Sequence, residues 1–301
     1  MASGRRTPLR RLLQDPLEAL PVFLLLGLAR VLPLDWASAL GGWLVRKIGP
    51  RISGLQRRAE RGLAVAFPEM EAAEKTEIVA QMYDNFGRLL FEYPHLPQIT
   101  APGSGLVEVI GDHILLDLVA RKQPAILIGG HFGNFEIVPR YVAGRGHRLN
   151  IFARGPNNAI LGSALKRWRG AARMFDGGFS SGMQAAHALR RGQYVAQLID
   201  HRYDGGLAVP FFGEMAMTNP TMARTALHLK LPVVPCRTQR LAGARFRITV
   251  EEPLPLPDSD DRDADVVALT LAMTARIEAW VRDDPGQWFW LHRRWPKVLY
   301  R

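Results

Sequence analysis

Beyond residue 100 the chain alternates short apolar runs with stretches patterned for helix, and this alternation narrows the available folds more than any other feature. LVEVI, PAILIGG, LNIFAR, YVAQLID, LPVVPCR and RFRITV read as strands. Between them, HILLDLVARK, NAILGSALKRWR, GMQAAHALRRG and PTMARTALHLK carry apolar residues at helical spacing. Strands separated by helices are joined by crossovers, so the expected fold class is α/β, a largely parallel central sheet flanked by helices.

Residues 17 to about 93 follow another pattern. RRAERGLAVAF closes at Pro68, and AAEKTEIVAQMYDNFGRLLFEY sets Ile78, Met82, Phe86, Leu89 and Leu90 on one helical stripe. The turn-forming run TAPGSG, residues 100–105, marks a boundary. The chain is therefore expected to comprise an N-terminal helical, membrane-associating section over residues 1–99 and an α/β section carrying the chemistry over residues 100–301, within one continuous domain. PDSDDRDAD precedes a final helix ending near Trp280, and the chain closes on QWFWLHRRWPKVLYR. Aromatic residues at such a closing segment either pack on the core, the favoured reading, or contribute to an acceptor or membrane surface.

The membrane expectation comes from Arg5, Arg6, Arg10 and Arg11, which precede the apolar stretch ALPVFLLLGLA over residues 19–29, with Ala37, Ser38 and Ala39 following. That order is similar to a secretory signal. Arg30, Pro33 and Asp35 intervene before the small residues, however, and basic residues resume at Arg46, Lys47, Arg51, Arg57 and Arg58. The apolar run is also shorter than the roughly 18 residues of a spanning helix. An amphipathic anchor lying in the cytoplasmic face of a membrane, its arginines at anionic head groups, fits best. A buried core helix is the alternative.

A formal charge of +11, from 39 basic and 28 acidic residues, points to an anionic partner: nucleic acid, an anionic membrane or an acidic protein. No RNP motif, helix-turn-helix spacing or zinc pattern supports nucleic acid, which is not expected as a partner. The single cysteine, Cys236, excludes an internal disulfide framework and reads as a buried strand residue within LPVVPCR.

In parallel α/β sheets reactive groups gather at the carboxyl ends of strands. In PAILIGGHFGNFEIV, a buried strand leads into Gly129 and Gly130, His131 emerges at the tip, and a helix starts near Asn134 with Glu136 in its first turn. A neutral imidazole takes a proton from a hydroxyl at cellular pH, and a carboxylate on its other nitrogen fixes the tautomer and stabilises the imidazolium. His131 is thus a candidate general base and Glu136 its expected orienting carboxylate; a purely structural pair is the competing reading.

GGHFGNFE resembles the H-x4-D/E signature of glycerolipid-type acyltransferases, and its HFGNFE form resembles the late acyltransferases of bacterial lipid A biosynthesis. FAR around Arg154 followed by NN, LIDHR with Asp200 and Arg202, VPFFG followed by Thr218, AFPE and the terminal QWFWLHRRWP occur in the order that family shows. The resemblance covers residue 15 to the end. It implies transfer of a fatty acyl group from acyl carrier protein to a hydroxyl of a lipid A precursor, at the cytoplasmic face of the cell inner membrane. It further implies that Arg154 binds an acceptor phosphate or neutralises the oxyanion. Asp200, in the same cleft, would hold Arg154 or Arg202, with a structural ion pair as the alternative. Asn134, Arg154, Asp200 and Arg202 form the expected substrate-binding set, and the chemistry requires neither metal nor cofactor.

Three other readings compete. GFSSG at residues 178–182, with Asp200 and His292 after it, satisfies the serine hydrolase pattern, but RMFDGG is a weak strand and Ser181 with Gln184 reads as a capping box. A basic membrane or nucleic-acid binding protein would leave the Gly-Gly-His turn unexplained. An acyltransferase acting on a lysophospholipid or an aminolipid is the nearest rival.

Overall fold

The computed structural model describes residues 8–146, 148–152, 158–170, 172–175 and 181–300. Helices α1 (Pro8–Val31), α2 (Leu34–Ile48), α3 (Ser53–Ala66), α4 (Ala72–Glu92) and the short α5 (Leu96–Ile99) come first. The alternating part begins with β1 (Val107–Ile110), α6 (Asp112–Ala120), β2 (Ile126–Gly129), α7 (Ile137–Gly144), β3 (Leu149–Phe152), α8 (Ala159–Arg169) and β4 (Arg173–Phe175). It continues through α9 (Ser181–Arg190), β5 (Tyr194–Leu198), β6 (Leu207–Phe211), β7 (Glu214–Thr218), α10 (Thr221–Leu229), β8 (Val233–Arg240), β9 (Phe246–Val250) and α11 (Arg262–Asp283).

Seven strands form one sheet in the order β1-β9-β8-β2-β5-β3-β4. β8, β2, β5, β3 and β4 run parallel, as expected from the strand–helix alternation. β9 turns back antiparallel to β8, and β1 pairs parallel with β9. That reversal follows from the short connection over residues 241–245, which leaves no room for the crossover that a parallel neighbour needs.

The six expected strands all form, and two features lie beyond the sequence reading. RMF makes the edge strand β4, and β6 pairs with β7 as a separate hairpin. The hairpin turns on Phe212 (φ 55°) and Gly213 (φ 77°). Two residues at positive φ suit the twist of a tight hairpin, but the usual signature there is Asn-Gly or Asp-Gly, which Phe-Gly does not display.

The helical section shares its core with the sheet: Leu63 of α3 and Ile78 and Met82 of α4 join one apolar cluster with Ile126, Ile128, Phe211 and Trp288. α2 and α4 meet backbone to backbone, because a Cβ on Gly87 would collide with the Gly41 carbonyl. The closing Trp288, Trp290 and Trp295 are buried and belong to the core. Cys236 is likewise buried in β8, and burial, with Glu251 adding to it, pushes its thiol up to about 12.

One face of the N-terminal helices is apolar and open. Leu17, Leu20, Leu24, Leu28 and Val31 recur every three or four residues along α1 and are all exposed, as are Trp36 and Trp43 of α2. α1 is nonetheless tied to the fold. The Asp15 carboxylate accepts the backbone N–H of Ala159 at the start of α8 (3.0 Å), and His95 Nε2 donates to the Ala29 carbonyl (2.8 Å). Among the described residues no helix is long and apolar enough to cross a membrane.

Candidate active site

β2 and β5 are parallel neighbours with Gly129 paired to Leu198, and two residues further along each strand stand His131 and Asp200. This register brings the two side chains together at the carboxyl edge of the sheet. Asp200 Oδ1 lies 2.7 Å from His131 Nδ1, while Oδ2 accepts the backbone N–H of His131 (2.7 Å) and the indole N–H of Trp288 (2.8 Å). Gly130 makes the approach possible, since a Cβ there would stand 3.3 Å from Oδ2 and 3.1 Å from the Phe132 ring.

The Asp200 side chain is fully buried and that of His131 only 12% exposed. Burial opposes ionisation of Asp200, but the charge and hydrogen bond of His131, with His201 and His292 adding to them, win and hold the carboxyl well below the usual carboxylate range. An ionised carboxylate only accepts hydrogen bonds, so the hydrogen of the neutral imidazole sits on Nδ1 and the lone pair on Nε2. That is the arrangement of a general base.

Trp288 reaches Asp200 because the closing segment lies along the His131 loop. Gly133 N–H donates to the Gln287 carbonyl and Phe289 N–H to the His131 carbonyl, both at 3.1 Å. Below the loop stands a buried ion pair, Glu92 at the end of α4 with Arg240 at the end of β8, in which Nη2 meets Oε2 at 2.9 Å. Ser38 and Asn134 donate to the same carboxylate, and Arg240 Nε donates to Asn85, whose amide in turn donates to the Gly133 carbonyl. Such a pair is tolerated in the core because nearly every lone pair and proton finds a partner.

Two more imidazoles adjoin the first. The ring of His131 meets those of His201 (centroids 4.6 Å apart) and His292 (4.4 Å), which meet each other at 3.8 Å. Their nitrogens lie within 4.8 Å of one another, making this the one group among the described residues with the donors for a metal ion. His201 is exposed as a residue, yet its ring sits in this cluster. Desolvation of the ring and the charge of His131 push it down to about 4, and the same causes push His292 well below the usual imidazole range. Arg294, 1% exposed, donates to Thr218 Oγ1 (2.7 Å) and to the carbonyls of His201 and Met217, tying the β6–β7 hairpin to the site.

His131 and Asp200 come together, but the expected roles shift. Asp200, not Glu136, holds His131 Nδ1; Glu136 stands at the N-cap position of α7 without a side-chain capping hydrogen bond, and its carboxylate accepts the Tyr93 hydroxyl (2.8 Å). The helix starts at Ile137, so the His-to-Glu segment is a loop rather than a helical turn. Asp200 holds His131 and Trp288 rather than Arg202, whose partner is Asp204 (2.6 Å). Asn134 is buried, its amide donating to Glu92 and accepting the Glu136 N–H, so that it braces the loop. Arg154 and Ser180 of the GFSSG run lie outside the described residues. Trp288 and Arg294 belong to the closing segment that the sequence offers as core or as acceptor or membrane surface, but an aromatic and basic run carries no signal of which side chain reaches Asp200 or the β6–β7 hairpin.

A family model described as bacterial lipid A biosynthesis acyltransferase matches residues 7–297. The chain is similar to the lipid A biosynthesis lauroyltransferase of Escherichia coli (strain K12), with 28% identity over 260 residues, 80% of this chain and 79% of that protein. It is similar as well to the palmitoleoyltransferase of lipid A biosynthesis from that strain, with 25% identity over 272 residues (87% and 86%). The myristoyltransferase of the same strain and pathway shares 22% identity over 244 residues (78% and 73%).

Asp200→Asn tests the pair by both rate and stability. Asparagine keeps the shape but does not select the Nδ1–H tautomer, so the reaction rate should fall by roughly 10²- to 10⁴-fold. Because the folded carboxyl titrates below the unfolded value of about 3.9, the unfolded state binds more protons between the two. The stabilisation is therefore complete above about pH 4 and is lost as pH falls through the folded range. Unfolding midpoints measured from pH 7 downward should drop more steeply for the wild type than for Asp200→Asn; parallel curves would contradict this assignment.

Proposed function

The chain belongs to the bacterial lipid A biosynthesis acyltransferase family, and from that premise we propose that it moves a fatty acyl chain from the thioester of acyl carrier protein to a hydroxyl of a lipid A precursor. The observation that carries the mechanism is the 2.7 Å contact between His131 Nδ1 and Asp200. His131 Nε2 takes the proton of the acceptor hydroxyl as its oxygen attacks the thioester carbonyl, and Asp200 stabilises the imidazolium that forms. The tetrahedral intermediate collapses with cleavage of the C–S bond, and the departing sulfur takes the proton back from Nε2. Attack is direct, without a covalent acyl-enzyme; the only cysteine, Cys236, is buried with a raised thiol pKa.

Glu136 acts on the base indirectly, by anchoring the end of the His131 loop to Tyr93. Arg154 keeps its proposed role at an acceptor phosphate or the oxyanion, and Arg202 its place on the substrate side. The net charge of +11 suits an acidic carrier protein and a phosphorylated glycolipid. The open apolar face of α1 and the exposed Trp36 and Trp43 support association with the surface of the cell inner membrane at its cytoplasmic side.

Transfer of labelled acyl groups from acyl carrier protein to a tetra-acylated lipid A precursor in detergent tests the reaction. The wild type should form product and His131→Ala should lose about a hundredfold or more; transfer surviving in that variant would overturn the mechanism, and transfer only to a lysophospholipid would replace the acceptor. Flotation with vesicles tests the membrane reading. The wild type should float with vesicles containing anionic lipid, and Leu20→Asp with Leu24→Asp, both on the exposed face, should remain in solution; equal flotation would remove α1 as the anchor.

A further inference from the structure

Arg57, Arg58 and Arg61 of α3 face Arg293 and Tyr300 of the closing segment across a cavity of about 430 Å³. No acidic side chain is among the described residues that line it. Arg57 and Arg61 stand one helical turn apart, which sets both on the side of α3 that lines the cavity. Arg58 Nη1 donates to the Leu291 carbonyl (3.2 Å), but its Nε is buried without a hydrogen-bond partner. Gly54 contributes open space, since a Cβ there would meet no atom within 4 Å.

The cavity and the His131 centre share the closing segment of the chain. Arg293 follows His292 in the chain, and the His292 ring touches that of His131. Arg58, through its hydrogen bond to the Leu291 carbonyl, is held one residue before His292.

We propose that Arg57, Arg58, Arg61 and Arg293 form a phosphate-ester subsite beside the His131 centre, positioning one substrate by its phosphate while His131 acts on the reacting hydroxyl. Guanidinium groups offer paired N–H donors that match phosphate oxygens, and several around one cavity suit the three or two free oxygens of a phosphate monoester or diester. The proposal rests on the acyl-transfer reading, in which two groups have this chemistry: a phosphate on the sugar of the acceptor lipid, and the phosphodiester of the pantetheine arm that carries the donor thioester.

The test uses Arg57→Gln with Arg293→Gln, both at exposed positions. Inorganic pyrophosphate titrated by calorimetry at low salt should bind the wild type and bind the double variant at least about tenfold more weakly, the loss expected for one charge-assisted hydrogen bond. In the transfer assay the double variant should raise one KM by a similar factor with a smaller change in kcat. If that difference vanishes with a dephosphorylated acceptor, the subsite holds the acceptor phosphate; if it vanishes with an S-acyl pantetheine donor lacking phosphate, it holds the donor. Either result supports the subsite. Equal pyrophosphate binding overturns it, as do two unchanged KM values. Should the wild type transfer nothing from carrier protein to a lipid A precursor, the functional reading fails, while the pyrophosphate titration still decides the subsite.

Discussion

A carboxylate with no exposed surface survives in this core only because three N–H groups converge on it. Two belong to His131, one from its backbone and one from its ring, and the third is the indole of Trp288. The carboxylate therefore fixes the position of His131 at its main chain and at its ring together, which a single side-chain contact would not do. Leaving one of those donors without an acceptor, or the carboxylate without its donors, would cost the desolvation of a buried polar group. The loop after β2, the end of β5 and the closing segment are thus held to one arrangement by one side chain.

The same loop is secured from below by the Glu92–Arg240 pair and its amide partners. Asp200 and Glu92 divide the work: Asp200 sets the imidazole, and Glu92 braces the backbone that carries it. Glu136 belongs with the second group, because its carboxylate meets Tyr93, one residue beyond Glu92. The helical section of the chain contributes through α4 to the rigidity of the loop after β2 that carries His131.

How much of this was legible in the sequence follows from which interactions are local. The parallel sheet was readable because each strand announces itself as an apolar run, and His131 because a Gly-Gly turn after such a run marks a strand end. The partner of His131 was not, since sequence proximity favoured Glu136, five residues away, whereas Asp200 arrives through strand register, 69 positions along. Both residues follow the last residue of a strand by two, and that shared offset was the signal available: neighbouring parallel strands in register would bring them together. Trp288 and Arg294 had no comparable signal, because a buried position at the end of the chain depends on the whole fold being in place.

The measurement that bears most directly on this account is the tautomer of His131, read by NMR from ¹⁵N-histidine protein at neutral pH, with the resonance assigned by its loss in His131→Gln. The account predicts a protonated Nδ1, an unprotonated Nε2 and a strongly downfield Nδ1 proton that persists in Glu136→Gln and disappears in Asp200→Asn. A ring protonated on Nε2, or a downfield proton that depends on Glu136 and not on Asp200, would contradict it.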